Sequence, residues 1–227
     1  NPNKAAHIGH LRNAVLGDTL VRLLRHSGLE VEVQNYIDDT GVQVADLVVG
    51  LIHLKGITQP SAIEAAVAGS AHHAPSSRAG SFDYFCWDLY ARVTEFYEQD
   101  RERLALRAET LRKMEHGEGD EAAIARYVAP RIVRCHLATM ERIGVRYDLL
   151  PWESHILVLK FWARAFELLK SEGVIRLVED GDKKGCWIMD LPQEKDAPPD
   201  DAKIIVRSNG TVTYVGKDIA YQLWKLG

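Results

Sequence analysis

Apolar residues in the first half of the chain recur mainly at helical spacing. Leu16, Leu20, Leu23 and Leu24 mark a helix from about His10 to Arg25, with Gly28 as its stop. Leu29 to Ile37 then alternates Leu/Val with Glu/Gln, the period-two pattern of a strand. Val44, Leu47, Val48 and Leu51 place a second helix over Thr40 to Leu54, closed by Gly56. Loop, helix and strand in that order are the unit of a parallel α/β sheet.

Thr58 to Gly80 is rich in Ala, Ser, His and Pro and reads as a short helix with a loop. Trp87, Tyr90, Phe96, Leu104 and Leu111 mix with dense charge from Asp83 to Met114, as in one long surface helix. Another helix spans Glu121 to Ile143, with a bend expected at Pro130. Tyr147 to Leu150 forms a short strand, and Leu157 to Ser171 is helical. Beyond it come short β-like runs, Val174 to Val178, Cys186 to Leu191, Lys203 to Arg207 and Thr211 to Val215, before a helix over Asp218 to Leu226.

Composition narrows the class. With 46% hydrophobic and 26% charged residues the chain is an ordinary globular sequence, and no apolar run approaches the roughly 20 residues of a membrane helix. A cytoplasmic protein with no membrane partner is expected. The net charge of -4 leaves no overall basic footprint, so any RNA grip must be local or lie elsewhere. Cys86, Cys135 and Cys186 are far apart and odd in number, which suits buried thiols rather than disulfides or zinc. His72 and His73 lack partners at ligand spacing, so no metal site is expected.

The sharpest chemical signal is His7-Ile8-Gly9-His10 at the mouth of the first helix. A helix start offers unpaired N-H groups and a positive dipole end, both suited to phosphate. Gly9 permits close approach, the two imidazoles can converge on one anion, and Lys4 adds a cation upstream. Asp38 and Asp39 could form a carboxylate cage, but a turn or a contact to a substrate amine fits their setting better.

The run Asn1 to Asp18 resembles the signature of class I arginyl-tRNA synthetases. Asn35 to Gln43, Trp152-Glu153-Ser154 and Gly210 to Ile219 are similar to further motifs of that family, in the same order. The resemblance implies a Rossmann-like parallel-sheet catalytic domain, of which this chain would be the first half. On that basis 1–171 would carry the nucleotide-binding part with a helical insertion, 172–212 a small β insertion, and 213–227 the return to the catalytic domain.

It also implies a reaction in which arginine and ATP give arginyl-adenylate and pyrophosphate, and the arginyl group passes to tRNA-Arg. Matched residue by residue, His7, Gly9 and His10 hold the ATP phosphates and Lys4 assists them. Asn1, Glu153, Tyr214 and Asp218 contact arginine; a planar guanidinium suits carboxylates and an aromatic wall. Mg²⁺ is expected with ATP. The start lacks an initiator Met and reaches the motif at once, so the chain is expected to lie inside a larger protein. On its own it should be a weak or inactive ligase. The rival readings are another class I synthetase or nucleotidyltransferase, and a non-catalytic RNA-binding or interaction module.

Overall fold

The structure is a computed structural model that describes residues 1–70, 82–190 and 202–227. The chain divides into two compact units, Asn1–Trp152 and Glu153–Gly227. None of the described helices is long and apolar enough to cross a membrane.

In the first unit, α1 (Ile8–His26) starts two residues before the expected position and carries no buried residue. Leu16, Leu20 and Leu23 stay more than half exposed along it. The expected strand over Leu29 to Ile37 does not form. That run instead makes two isolated parallel bridges, Gln34 to Leu149 and Ile37 to Trp152, and Tyr147 to Leu150 is likewise no strand. The N-H groups of Asn35 and Ile37 donate to the carbonyls of Leu149 and Pro151. Pro151 has no N-H to return, which interrupts a ladder at its centre.

The core of this unit is helical. α2 (Val42–Val49) begins two residues later than the pattern suggested and runs into one π turn over Gly50–Leu54. Val44, Leu47, Val48, Val49 and Leu51 are all fully buried, the condition of a helix that is apolar all round. It packs against α4 (Phe82–Glu98), α5 (Leu104–His116) and α6 (Gly119–Glu141). Gly50 makes the approach to α4 possible, because a Cβ there would lie 2.6 Å from Val93 Cγ2. The buried Asp46 carboxylate is matched by Arg107 at 2.7 and 3.1 Å and by the Tyr97 hydroxyl at 3.0 Å.

The long helix expected over Asp83 to Met114 is two. Asp100 adopts an extended backbone and its Oδ1 accepts from the Glu102 N-H, so it caps a new turn in place of continuing the old one. α3 (Ile63–Ser70) is the short helix foreseen in the Ala-rich stretch. His72 and His73 lie outside the described residues. α6 keeps Pro130 in its interior.

In the second unit, α7 (Glu153–Val158) and α8 (Phe161–Ser171) replace the single helix expected from Leu157. The break is at Lys160, whose φ of 60° is left-handed. An antiparallel sheet of β1 (Arg176–Leu177), β2 (Trp187–Met189) and β3 (Lys203–Val206) follows. Ile175, Ile205 and Val206 form its core with Trp162, Phe166 and Trp187.

The run Thr211 to Val215 contributes only a bridge from Val212 to Val206. α9 (Tyr214–Leu226) starts there instead, four residues before Asp218. The Thr213 hydroxyl donates to the Ile204 carbonyl at 2.7 Å, which ties the helix start to β3. The only named sheet among the described residues is therefore antiparallel, and the parallel geometry is confined to two bridges. Cys86 and Cys186 are buried thiols, and Cys135 is half-buried.

Candidate functional site

The first turn of α1 has an unusual cap. His7 is the N-cap, and its Nδ1 accepts from the Gly9 N-H at 3.1 Å; His10 Nδ1 accepts from the His7 N-H, also at 3.1 Å. This reproduces a reciprocal capping box with imidazoles in place of Ser and Glu. Because each Nδ1 is an acceptor, each ring carries its proton on Nε2. Both histidines therefore keep an Nε2-H donor at the positive end of a 19-residue helix with no acidic residue in its first turn.

Gly9 leaves room for this geometry. A Cβ at that position would lie 3.0 Å from His7 Cε1, so a larger residue would make the ring shift by a few tenths of an ångström. The two rings are 4.0 Å apart between centroids. Burial, then the neighbouring His7 and His136, lower the His10 pKa to about 4, so His10 is neutral near pH 7.

Lys4 joins this cluster from upstream. Its Nζ lies 5.3 Å from the Trp87 ring centroid and 4.9 Å from that of Tyr90, both on α4. Trp87 meets His7 edge to face at 6.2 Å. His136 of α6 donates from Nε2 to the Lys4 carbonyl at 2.6 Å and packs against His10 at 5.5 Å. Burial is the largest cause lowering the His136 pKa.

A cavity of about 730 Å³ runs beside α1 and α6, lined by Asn1, His10, Asp18, Tyr36, His136 and Tyr147 among others. The Asn1 Nδ2 donates to Gln43 Oε1 at 2.7 Å. Asp38 does not stand out as a cage ligand. Its carboxylate folds over the turn into α2, within 2.6 Å of where a Cβ on Gly41 would be. Among the described residues no group of three His, Cys, Asp or Glu could hold a metal ion.

The other expected residues lie in the second unit. Glu153 opens α7 and is 3% exposed; its Oε1 accepts from Lys217 Nζ at 2.7 Å. Tyr214 and Asp218 sit four residues apart on one face of α9, with Tyr214 76% exposed. Local desolvation, then the charge of Glu153, push the Asp218 carboxyl above its usual range. The structure thus gathers His7, Gly9, His10 and Lys4 in one unit, with Asn1 on the same cavity as His10. Glu153, Tyr214 and Asp218 are gathered in the other. Sequence reasoning missed Trp87, Tyr90, His136 and Lys217. Lys217 was within a quoted motif, whereas the other three sit in helices whose pattern announces only amphipathic packing.

Residues 1–65 match the family model for the catalytic domain of class I tRNA synthetases (R). Over all 227 residues the chain is 38% identical to an arginine–tRNA ligase of Thermococcus kodakarensis, covering 34% of that protein. It is 36% identical to one of Thermus thermophilus, again covering 34%. A solved Thermus thermophilus arginyl-tRNA synthetase superposes with a TM-score of 0.73 at 35% identity, over the whole of this chain and 34% of that one. An arginyl-tRNA synthetase of Plasmodium falciparum, at 16% identity and a TM-score of 0.64, shares the fold over 99% of this chain and 33% of its own. The chain spans about a third of the length of the curated relatives it matches.

Proposed function

We propose that the chain is a catalytic-domain portion of a cytoplasmic arginine–tRNA ligase of class I, a reading supported by the family match of residues 1–65 and by the full-chain likeness to arginine–tRNA ligases. The observation that carries the reading is the pair of Nε2-H donors fixed at the start of α1. In this reading they receive the triphosphate of ATP, with Lys4 supplying positive charge beside them. The two parallel bridges between 34–37 and 149–152 support assigning these segments to the parallel nucleotide-binding sheet of the family.

The arginine carboxylate is ionised near neutral pH and attacks the α-phosphorus without a general base. A carboxylate-oxygen to phosphorus bond forms, the bond to the bridging oxygen breaks, and pyrophosphate leaves with the electron pair. Positioning and donation to the phosphate oxygens are the catalytic contributions of these residues. A ribose hydroxyl of tRNA-Arg then attacks the carbonyl and displaces AMP. Mg²⁺ would be held by the ATP phosphates and water rather than by a dedicated cage of this chain's described residues, and would supply charge neutralisation.

Glu153 and Asp218 are two carboxylates in one unit; burial, then the charge of Glu153, raises the Asp218 pKa, and a cation placed beside Asp218 offsets both. Arginine supplies that cation as a planar fork, with Tyr214 as an aromatic wall. Lysine offers one compact charge and loses the paired geometry.

The test is pyrophosphate exchange by the full-length protein with tRNA-Arg present. Exchange dependent on arginine and not on lysine, cysteine or glutamate is expected. Exchange dependent on another amino acid, or none with any, would overturn the assignment. The 227-residue chain assayed alone should show weak exchange or none.

A further inference from the structure

Lys4, the cation beside the signature histidines, is held on three sides by residues that no motif marks. Its ammonium rests over two aromatic faces, Trp87 and Tyr90, spaced three residues apart on α4. Its carbonyl accepts a 2.6 Å hydrogen bond from His136 on α6. The Ala5 N-H donates to the Asp83 carbonyl, one turn before Trp87, so the backbone beside Lys4 is also fastened to α4.

The same residues reach the histidines. Trp87 presents its ring to His7 at 82° and 6.2 Å, and His136 packs on His10 at 5.5 Å. Trp87, Tyr90 and His136 are all half-buried. Trp87 therefore touches both the cation and one imidazole donor, and His136 touches the backbone of the first and the ring of the other donor.

We infer that Trp87, Tyr90 and His136 are positioning residues of the phosphate site: they hold the Lys4 ammonium in an aromatic cradle beside His7 and His10, ready for the triphosphate. An ammonium over aromatic rings keeps its full charge while being stripped of part of its water and of its rotamer freedom. It is thereby prepared for an incoming anion, which can draw it from a weak quadrupole to a full negative charge. A carboxylate partner would have neutralised it and competed with phosphate. The inference rests on the nucleotide reading given above.

Kinetics of the full-length protein in pyrophosphate exchange provide the test, using Trp87→Leu, Trp87→Phe, Tyr90→Leu, Lys4→Ala and the double variant Trp87→Leu/Lys4→Ala. Trp87→Leu should lower kcat/KM for ATP by roughly 2- to 30-fold and leave the KM for arginine unchanged. Trp87→Phe should recover most of the loss. The double variant should lose clearly less than the product of the two single losses, because both substitutions disable the same cation and only the Trp87 contact to His7 is separate.

Losses that multiply in the double variant would overturn the inference, as would an arginine KM that rises along with that for ATP. Should Trp87→Leu fail to fold, Tyr90→Leu combined with Lys4→Ala gives the same cycle from the other ring. A wild-type protein with no ATP-dependent exchange would instead refute the nucleotide reading. An active wild type with multiplying losses refutes the cradle alone.

Discussion

Glu153 and Lys217 form the most buried ion pair among the described residues, with side chains only 4% and 12% exposed and 2.7 Å between Oε1 and Nζ. Lys217→Met removes the cation and leaves the carboxylate in its buried place. Breaking such a pair from one side costs about 3–5 kcal/mol, because the remaining charge keeps its desolvation penalty and loses the opposite charge at 2.7 Å. For a chain of this size each kcal/mol corresponds to about 2–4 °C in Tm, so a fall of roughly 6–20 °C is expected.

Glu153→Gln should cost a similar amount by removing the carboxylate charge that faces the buried ammonium. The double variant should lose less than the two added together, with a coupling on the order of 2 kcal/mol. Thermal and urea unfolding of the four proteins measure this cycle. Arginine adds a functional arm: its guanidinium can replace the missing ammonium, so it should raise the Tm of Lys217→Met more than that of the wild type. Strict additivity, or a single-variant loss below about 1 kcal/mol, would refute the argument that the pair is a coupled buried unit. Equal stabilisation of both proteins by arginine would refute the placement of the guanidinium against Glu153.

Gly50→Ala should destabilise the chain by about 1–3 kcal/mol in urea unfolding, since its Cβ would meet Val93 Cγ2 and Leu89 inside well-packed helices. His10 has a folded pKa of about 4, below the ordinary 6.5 of an unfolded histidine. Its contribution to stability is therefore fully present above pH 6.5 and is lost as pH falls toward 4. Urea midpoints measured from pH 7.5 to 4 should decline less steeply in His10→Gln. The raised pKa of Asp218 has the opposite consequence for binding, because the carboxylate must be ionised to hold a guanidinium. Arginine affinity measured by calorimetry should begin to weaken at a higher pH than an ordinary carboxylate would cause, and Asp218→Asn should remove that dependence.

The helices of the first unit were legible because Val44, Leu47, Val48 and Leu51 repeat at the spacing of one helix face, and all four are fully buried. Helix breaks were less legible. Asp100 caps a turn with its own side chain and Lys160 adopts a left-handed backbone, and neither choice alters the hydrophobic rhythm. The run Leu29 to Ile37 failed as a strand for a different reason. Alternation states which residues could face a core, whereas a ladder depends on a neighbouring backbone with donors to give, and Pro151 has none.

At the candidate site, His7, Gly9 and His10 could be read directly because the chemistry and the helix start coincide in four residues. The capping role of the two imidazoles could not, since it depends on ring orientation. Trp87, Tyr90 and His136 reach Lys4 and the histidines from distant helices, and only folding brings them there. The Glu153 to Lys217 pair joins residues 64 positions apart, so the quoted motifs contained both members without revealing their contact.

The central claim is that a triphosphate lies against the first turn of α1 and accepts from His7 and His10. A structure of the full-length protein with a non-hydrolysable ATP analogue and Mg²⁺ tests it most directly. Phosphate oxygens within about 2.7–3.2 Å of both Nε2 atoms would agree with the account. Phosphates bound elsewhere, with both rings turned from them, would contradict it.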